Sequence, residues 1–420
     1  VDTREPSCHN QPVNKHDRSI IRGLANRVAE IAAQPMMSDL RDAWTRHHAL
    51  ERVRPMIIVQ PEGSWAELIP ERTLQCEDDA ARAYEIELRR RCYYWDHIRD
   101  DTVIENIWVV QKVVHSTGWG LEPQWIGSDQ TRGAGTYKPV IESREDLKKL
   151  HFPEISYDEA ATRRNLEQAQ ELFGDILDVQ LKGIRTVSFH LMNLYTHLRG
   201  LDQVMMDMYE QPEMLHEAMS FLEQGHHRLI DQYEELNLLS LNNDNSYVYP
   251  SGNGFSDELP QPDHDPDHVR PRDMWATAEA QELTLVSPEM TNGFAIEYEK
   301  KLLSRFGLTC YGCCEDLTRK LDYVFTIPHL RQVNISPFAD VEKCAEQFQS
   351  KDLIFAWKPH PSQIVGDFNE DAVRANIRRA LDVTRGLVFE IALKDTHTCD
   401  NHPERFTRWV EIAREACDDY

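Results

Sequence analysis

The sequence contains no uninterrupted apolar run approaching the roughly twenty residues that cross a bilayer, so no membrane span is expected. It also lacks any long Lys/Arg tract or basic helix: acids outnumber bases, 71 to 46, for a formal net charge of −25. With no positive footprint to displace counterions, nucleic acid is excluded as a partner. No Gly-x-Gly-x-x-Gly follows the first strand-like run and no Walker-type Gly-Lys-Ser/Thr loop occurs, which removes the usual phosphate cradles. Internal repeats and low-complexity linkers are absent too. The nine cysteines, at 8, 76, 92, 310, 313, 314, 344, 399 and 417, are odd in number and scattered, unlike the dense even framework of a secreted scaffold. Together with the polar stretch Val1 to Lys15, this predicts a cytoplasmic protein with reduced thiols.

What is present is enough apolar material for a sizeable core, 41% of residues with nine Trp, fourteen Tyr and fourteen Phe. Ile20, Ile21, Leu24, Val28 and Ile31 recur at helical spacing and predict a helical N-terminal layer. The run Met56-Ile57-Ile58-Val59, with Pro55 ahead and Pro61-Glu62-Gly63 behind, predicts a buried first strand. Further strands are expected at 184–190, 238–243, 282–286, 308–313, 331–335, 353–357 and 387–393, most followed by one-sided apolar helices. Eight such units close a barrel more naturally than they build an open doubly wound sheet, given the missing phosphate loops. The expected fold is therefore α/β: a single (β/α)8 TIM-type barrel at 54–420, with a helical extension at 1–53 and an insertion at about 64–182. Tyr249 to Arg272, rich in Gly, Pro, Asp and His, is expected to be a loop over the active face.

In a barrel the loops after the strands share one face, so polar residues at strand ends converge whatever their spacing in sequence. This rule selects Glu62, His190, Asn193, Asn242, Asn243, Asp244, Cys313, Cys314, Glu315, Asn334, Ser336, Lys358, His360, Lys394, Asp395, His397 and Cys399. Thiolate, imidazole and carboxylate are the donors zinc prefers, which makes Cys313, Cys314, Glu315, His397 and Cys399 candidate ligands. The competing reading is that Cys310 and Cys313 are small buried hydrophobes and Cys314 is fortuitous. Lys358 is a candidate to hold a substrate anion or to pair with a neighbouring acid, and Asp244 to act as a general base or merely to close a turn.

Several segments carry a resemblance. Arg54-Pro55-Met56-Ile57-Ile58 leading to Gly63, Val140 to Leu150, Leu198-Arg199-Gly200 followed by Tyr209-Glu210-Gln211-Pro212-Glu213, and the strand ending at Cys313 resemble the uroporphyrinogen decarboxylase superfamily. The resemblance runs from about residue 50 to the end and implies the (β/α)8 barrel. Tyr311-Gly312-Cys313 stands where the superfamily's cobamide-dependent methyltransferases carry a zinc-binding His-x-Cys, and His397 or Cys399 stands near their later ligand. The decarboxylase branch places arginines after the first strand. Here Gln60-Pro61-Glu62-Gly63 puts an acid there, which disfavours a polycarboxylate substrate. The resemblance thus implies a zinc-dependent methyltransferase that moves a methyl group from a small O- or N-methylated substrate, for example a methoxyaromatic, to a corrinoid on a separate protein. No Asp-x-His-x-x-Gly corrinoid motif occurs within the chain. Asp244, Tyr311 and Lys358 are the expected catalytic or positioning residues, and Glu62, Asn334, Lys394 and Asp395 the expected substrate contacts. Methyl transfer from a methylcobamide to a thiol, a different lyase activity and a binding barrel are the alternatives; a homodimer is one assembly the sequence leaves open.

Overall fold

The computed structural model describes residues 13–127, 135–248 and 252–418. The chain divides into two units: Val1–Lys112, Glu159–Lys182 and Ile354–Tyr420 form one, Val113–Asp158 and Gly183–Leu353 the other. Both are mixed α/β. Seven strands with parallel pairing provide the frame, β1 (Met56–Val59), β2 (Ser188–Phe189), β3 (Trp275–Ala278), β4 (Leu308–Tyr311), β5 (Leu330–Ile335), β6 (Ile354–Trp357) and β7 (Val388–Leu393). In the first unit β7 lies between β1 and β6, with Met56 opposite Glu390 and Ile354 opposite Val388. In the second unit β3 and β4 lie between β2 and β5, with Ser188 opposite Thr277, Thr277 opposite Cys310, and Cys310 opposite Gln332. A closed ring of eight is not found among the described residues.

The first unit opens with the expected helical layer, in two pieces. Asn14 caps the helix Lys15–Ala32 by accepting from Asp17 N at 2.8 Å, and Ile21, Ala25, Val28 and Ile31 form its buried stripe. Pro35 then starts a second helix, Pro35–His48, because proline fits a first turn that needs no N–H. Among the described residues, β1 pairs with another strand along one side only. The buried Asp101 and Asp100 carboxyls take the backbone N–H groups of Ile57 (2.8 Å) and Val59 (2.7 Å), so these strand donors are not left orphaned. Asp101 is held in turn by a bidentate bond from Arg54, both contacts 2.7 Å, and by Arg414 at 2.9 Å.

Three expected strands in the second unit are corrected. The expected 282–286 strand is a short 3-10 turn, Gln281–Leu283, and Leu285 is 97% exposed; the strand lies earlier, at Trp275–Ala278, where all four residues are buried. The expected 184–190 strand contracts to Ser188–Phe189. At 238–243 the backbone makes a single parallel bridge, Ile184 to Leu239. The side chain of Asn242 replaces the missing ladder: it accepts from Trp275 N at 2.8 Å and donates to Trp275 O and Arg185 O at 3.0 and 2.7 Å. Of the expected loop Tyr249 to Arg272, residues 249–251 lie outside the described residues. Among the described residues, no helix is long and apolar enough to cross a membrane.

Candidate active site

The parallel register of the second unit sets its chemistry. Residues side by side in parallel strands point to the same face, and that face repeats every second residue. Ser188, Thr277, Cys310 and Gln332 thus form one row, and His190, Glu279, Gly312 and Asn334 form the next, towards the strand C-terminal ends. Gly312 N donates to Ala278 O at 3.0 Å and Glu279 N to Phe189 O at 3.3 Å, extending the pairing just past the strands. At Gly312 the chain turns out of β4 with φ +95°; a Cβ there would be 2.8 Å from Leu317 Cδ1 and 3.0 Å from Asn334 O, so the turn requires glycine.

The second row contains a hydrogen-bonded relay. Glu279, almost wholly buried, accepts from Gln281 N at 2.7 Å with one oxygen and meets His190 Nδ1 at 2.5 Å with the other. Nδ1 faces the Glu279 carboxyl, and Nε2 faces the Ser188 hydroxyl. His190 remains about one-third exposed, so the relay opens to solvent at the imidazole.

Around Glu279 stand three more carboxyls. Glu282 accepts from Asn193 Nδ2 at 2.6 Å through Oε1, while its buried Oε2 has no partner. Burial, and then the nearby Glu279, push the Glu282 carboxyl up to about 7. Glu315 accepts from Cys313 N at 2.8 Å and Ala280 N at 3.3 Å; burial and Glu279 raise it above the usual carboxylate range despite these bonds. Glu299, fully buried on the helix Glu297–Leu303, accepts from the Tyr311 hydroxyl at 3.1 Å and is pushed well above the usual range by burial and Glu279. Burial likewise drives the Tyr311 phenol up, so it stays a neutral donor to Glu299. Four acids in one low-dielectric neighbourhood cannot all ionise cheaply, and their protons are thus available to a reacting group.

Of the residues expected from sequence, His190, Asn193, Tyr311, Cys313, Cys314, Glu315 and Asn334 lie in this neighbourhood. Cys313 is buried, with its sulfur 3.4 Å from that of Cys314. Asn334 donates to Tyr311 O at 3.3 Å and its Oδ1 has no partner. Asp244 accepts from Ser246 N at 2.9 Å and from the Ser246 hydroxyl, closing a turn. Cys310 packs with Val248, Leu259, Trp275 and Leu308.

Glu62, Lys358, Lys394, Asp395, His397 and Cys399 lie in the first unit. Lys358 pairs with Asp395 at 3.3 Å and Lys394 with Glu62 at 3.6 Å, and both lysines are buried. Cys399 donates its S–H to Glu67 at 3.2 Å; burial and that carboxylate push the thiol up to about 12. Burial would raise Glu67, but donors from Thr398, Asn401 and Cys399 outweigh it and hold the carboxyl at about 2. His397 is exposed, with its Nδ1 3.2 Å from where a Cβ on Gly63 would lie.

Among the described residues, no group of three or more His, Cys, Asp or Glu is placed to hold a metal ion. The expected ligands fit zinc poorly as they stand: Glu315 is spent on two backbone donors, and the Cys399 thiol, the form that does not ligate, is stabilised.

Sequence reasoning missed Glu279, Glu282 and Glu299. Glu279 was within reach of the strand-end rule, and a strand placed at Trp275–Ala278 makes it the first residue beyond the end. Glu282 was hidden inside the misplaced strand. Glu299 sits on a helix, where that rule does not look.

No protein-family profile matches the chain, and no curated protein matches it in sequence. Its fold is similar to that of a methyltransferase from Methanosarcina mazei, with a TM-score of 0.50 at 11% identity, over 90% of this chain and 98% of the other.

Proposed function

We propose that this chain is a methyltransferase that takes a methyl group from a small O- or N-methylated compound and passes it to a corrinoid carried by a separate protein. The observation that carries the proposal is Glu282: a carboxyl that stays protonated up to about pH 7, with an unpartnered oxygen, beside the Glu279–His190 relay at the ends of parallel strands. The similarity in fold to a methyltransferase over nearly the whole of both chains supports the same reading. Methyl transfer fails without help when the leaving group is a bare alkoxide, phenolate or amide ion. An acid that delivers its proton as the C–O or C–N bond breaks removes that barrier, typically by a factor of about 10² or more.

Asn193 fixes the Glu282 carboxyl through Oε1, which leaves Oε2 to carry the proton to the departing atom. Burial, and then the proximity of Glu279, keep Glu282 protonated, and Glu279 aims the His190 ring, whose solvent-facing edge returns the proton afterwards. The corrinoid supplies the nucleophile. Zinc remains part of the proposal as an ion for metal analysis to find, and no step is routed through it.

The test is incubation of the protein with a reduced corrinoid protein and a panel of methoxyaromatics and methylamines, following cobalt methylation by absorbance. Glu282→Gln is expected to lower the rate by about 10²-fold. Absence of methylation with every donor, or full activity of Glu282→Gln, overturns the proposal.

A further inference from the structure

The first unit has a cavity of its own where the chain enters β1 and β7. These strands are parallel neighbours, so their N-terminal ends stand side by side, and the segments leading into them line a cavity of about 470 Å³. Glu62 and Lys394 lie past the other ends of the same two strands. The volume falls in the ordinary range for a small-molecule site, roughly 300–1,000 Å³. Acids outnumber bases in the chain, 71 to 46, yet of the four Asp, Glu, Lys or Arg side chains lining this cavity three are arginines: Arg52, Arg54 and Arg385, against Glu51.

A guanidinium has only donors and keeps its charge at any ordinary pH, so what it asks of a ligand is unambiguous. Arg54 is engaged by Asp101 and by Pro55 O, and Glu51 by Arg46 at 2.7 Å. Arg52 and Arg385 are exposed and underused. Among the described residues Arg52 gives one bond, from Nη1 to Gly386 O at 3.1 Å, and Arg385 one, to Asp382 at 3.4 Å. The first of these bonds brings the Arg52 head to the residue that follows Arg385, and the second is an exposed pair that holds Arg385 only weakly. On the buried side, His47 is 1% exposed, with Nε2 3.3 Å from Glu390 Oε2 and no partner at Nδ1. Val53, Leu387 and Phe389 supply apolar wall. We infer that this cavity binds a small organic phosphate monoester, its dianionic head in the forks of Arg52 and Arg385 and its apolar body against Val53, Leu387 and Phe389. Two guanidiniums match the nearly two negative charges of such a head, and their planar forks match its oxygens. A monocarboxylate leaves one of them unanswered. No bond is made or broken, so the site stands apart from the methyl-transfer reading.

Calorimetric titration of the full chain at about pH 8, where a phosphate monoester is dianionic, tests this with phenyl phosphate, benzoate, inorganic phosphate and benzyl alcohol. Phenyl phosphate is expected to bind. Benzoate, with half the charge, and inorganic phosphate, without the apolar body, should each bind about tenfold more weakly, and benzyl alcohol not measurably. Arg52→Gln and Arg385→Gln should each weaken phenyl phosphate about tenfold. Both side chains are exposed, so the variants should keep the wild-type thermal midpoint when no ligand is present, and that measurement separates lost binding from lost folding. No binding of phenyl phosphate, or benzoate binding as tightly, overturns the inference. Phenyl phosphate affinity that survives both substitutions overturns it too, because the phosphate then lies elsewhere on the chain.

Discussion

A single carboxyl, Glu282, ties the chemistry of the site to the stability of the fold. Its folded value of about 7 lies above the ordinary 4.5, so between these two the folded chain binds more protons than the unfolded one. Its contribution is therefore fully present below about pH 4.5, falls as pH rises towards 7, and is lost above that, at up to about 1.4 kcal/mol per pH unit. Urea denaturation of the wild type from about pH 5 to 8 should show this decline, and Glu282→Gln should flatten it; identical profiles would mean Glu282 titrates normally. A second residue-scale prediction concerns thiols. Cys399, buried against Glu67 and pushed up to about 12, should resist iodoacetamide in native protein at about pH 8. Among the described cysteines, half-buried Cys314 should react first, as peptide mass mapping will show. Rapid native labelling of Cys399 would contradict the Glu67 contact.

At the scale of elements, the two aspartates beside β1 do more than fill space. Asp101→Ala removes the acceptor for Arg54, Arg414 and the Ile57 N–H together, and should cost about 3 kcal/mol by denaturant titration. A loss well under 1 kcal/mol would show that water replaces it. The same scale explains how much of the molecule was legible. Apolar runs bounded by turn residues marked β1, β4, β5, β6 and β7, because burial on both faces of a parallel strand leaves that signature. β3 is Trp-Ala-Thr-Ala, whose small residues carry no period, while the more β-like Leu283 to Val286 is a turn. Asn242 supplies strand-like bonds through a side chain, a role that no propensity reveals. The site follows these errors: Cys313, Glu315 and Asn334 were reached through well-placed strands, and Glu279 was lost with β3.

For the whole molecule, a formal charge of −25 sets a background that individual ion pairs do not cancel. Self-repulsion destabilises a compact state, and salt screens it, with a Debye length falling from about 30 Å at 0.01 M to about 8 Å at 0.15 M. The thermal midpoint should therefore rise by a few degrees, roughly 2–4 °C, between those salt concentrations. A falling midpoint in differential scanning calorimetry would mean that surface ion pairs such as Arg408 with Glu370 outweigh the net repulsion.

The clasp of Asp101 by Arg54 and Arg414 also has a consequence in time. β1 pairs with β7, and Asp101 waits for an arginine in the helix Glu404–Cys417, so the first unit is assembled from segments far apart in sequence. The second unit is complete at Leu353. During synthesis the second unit has all its partners well before the first, and β1 must remain unpaired until β7 emerges. Until then the apolar strand Met-Ile-Ile-Val is an aggregation hazard on the ribosome.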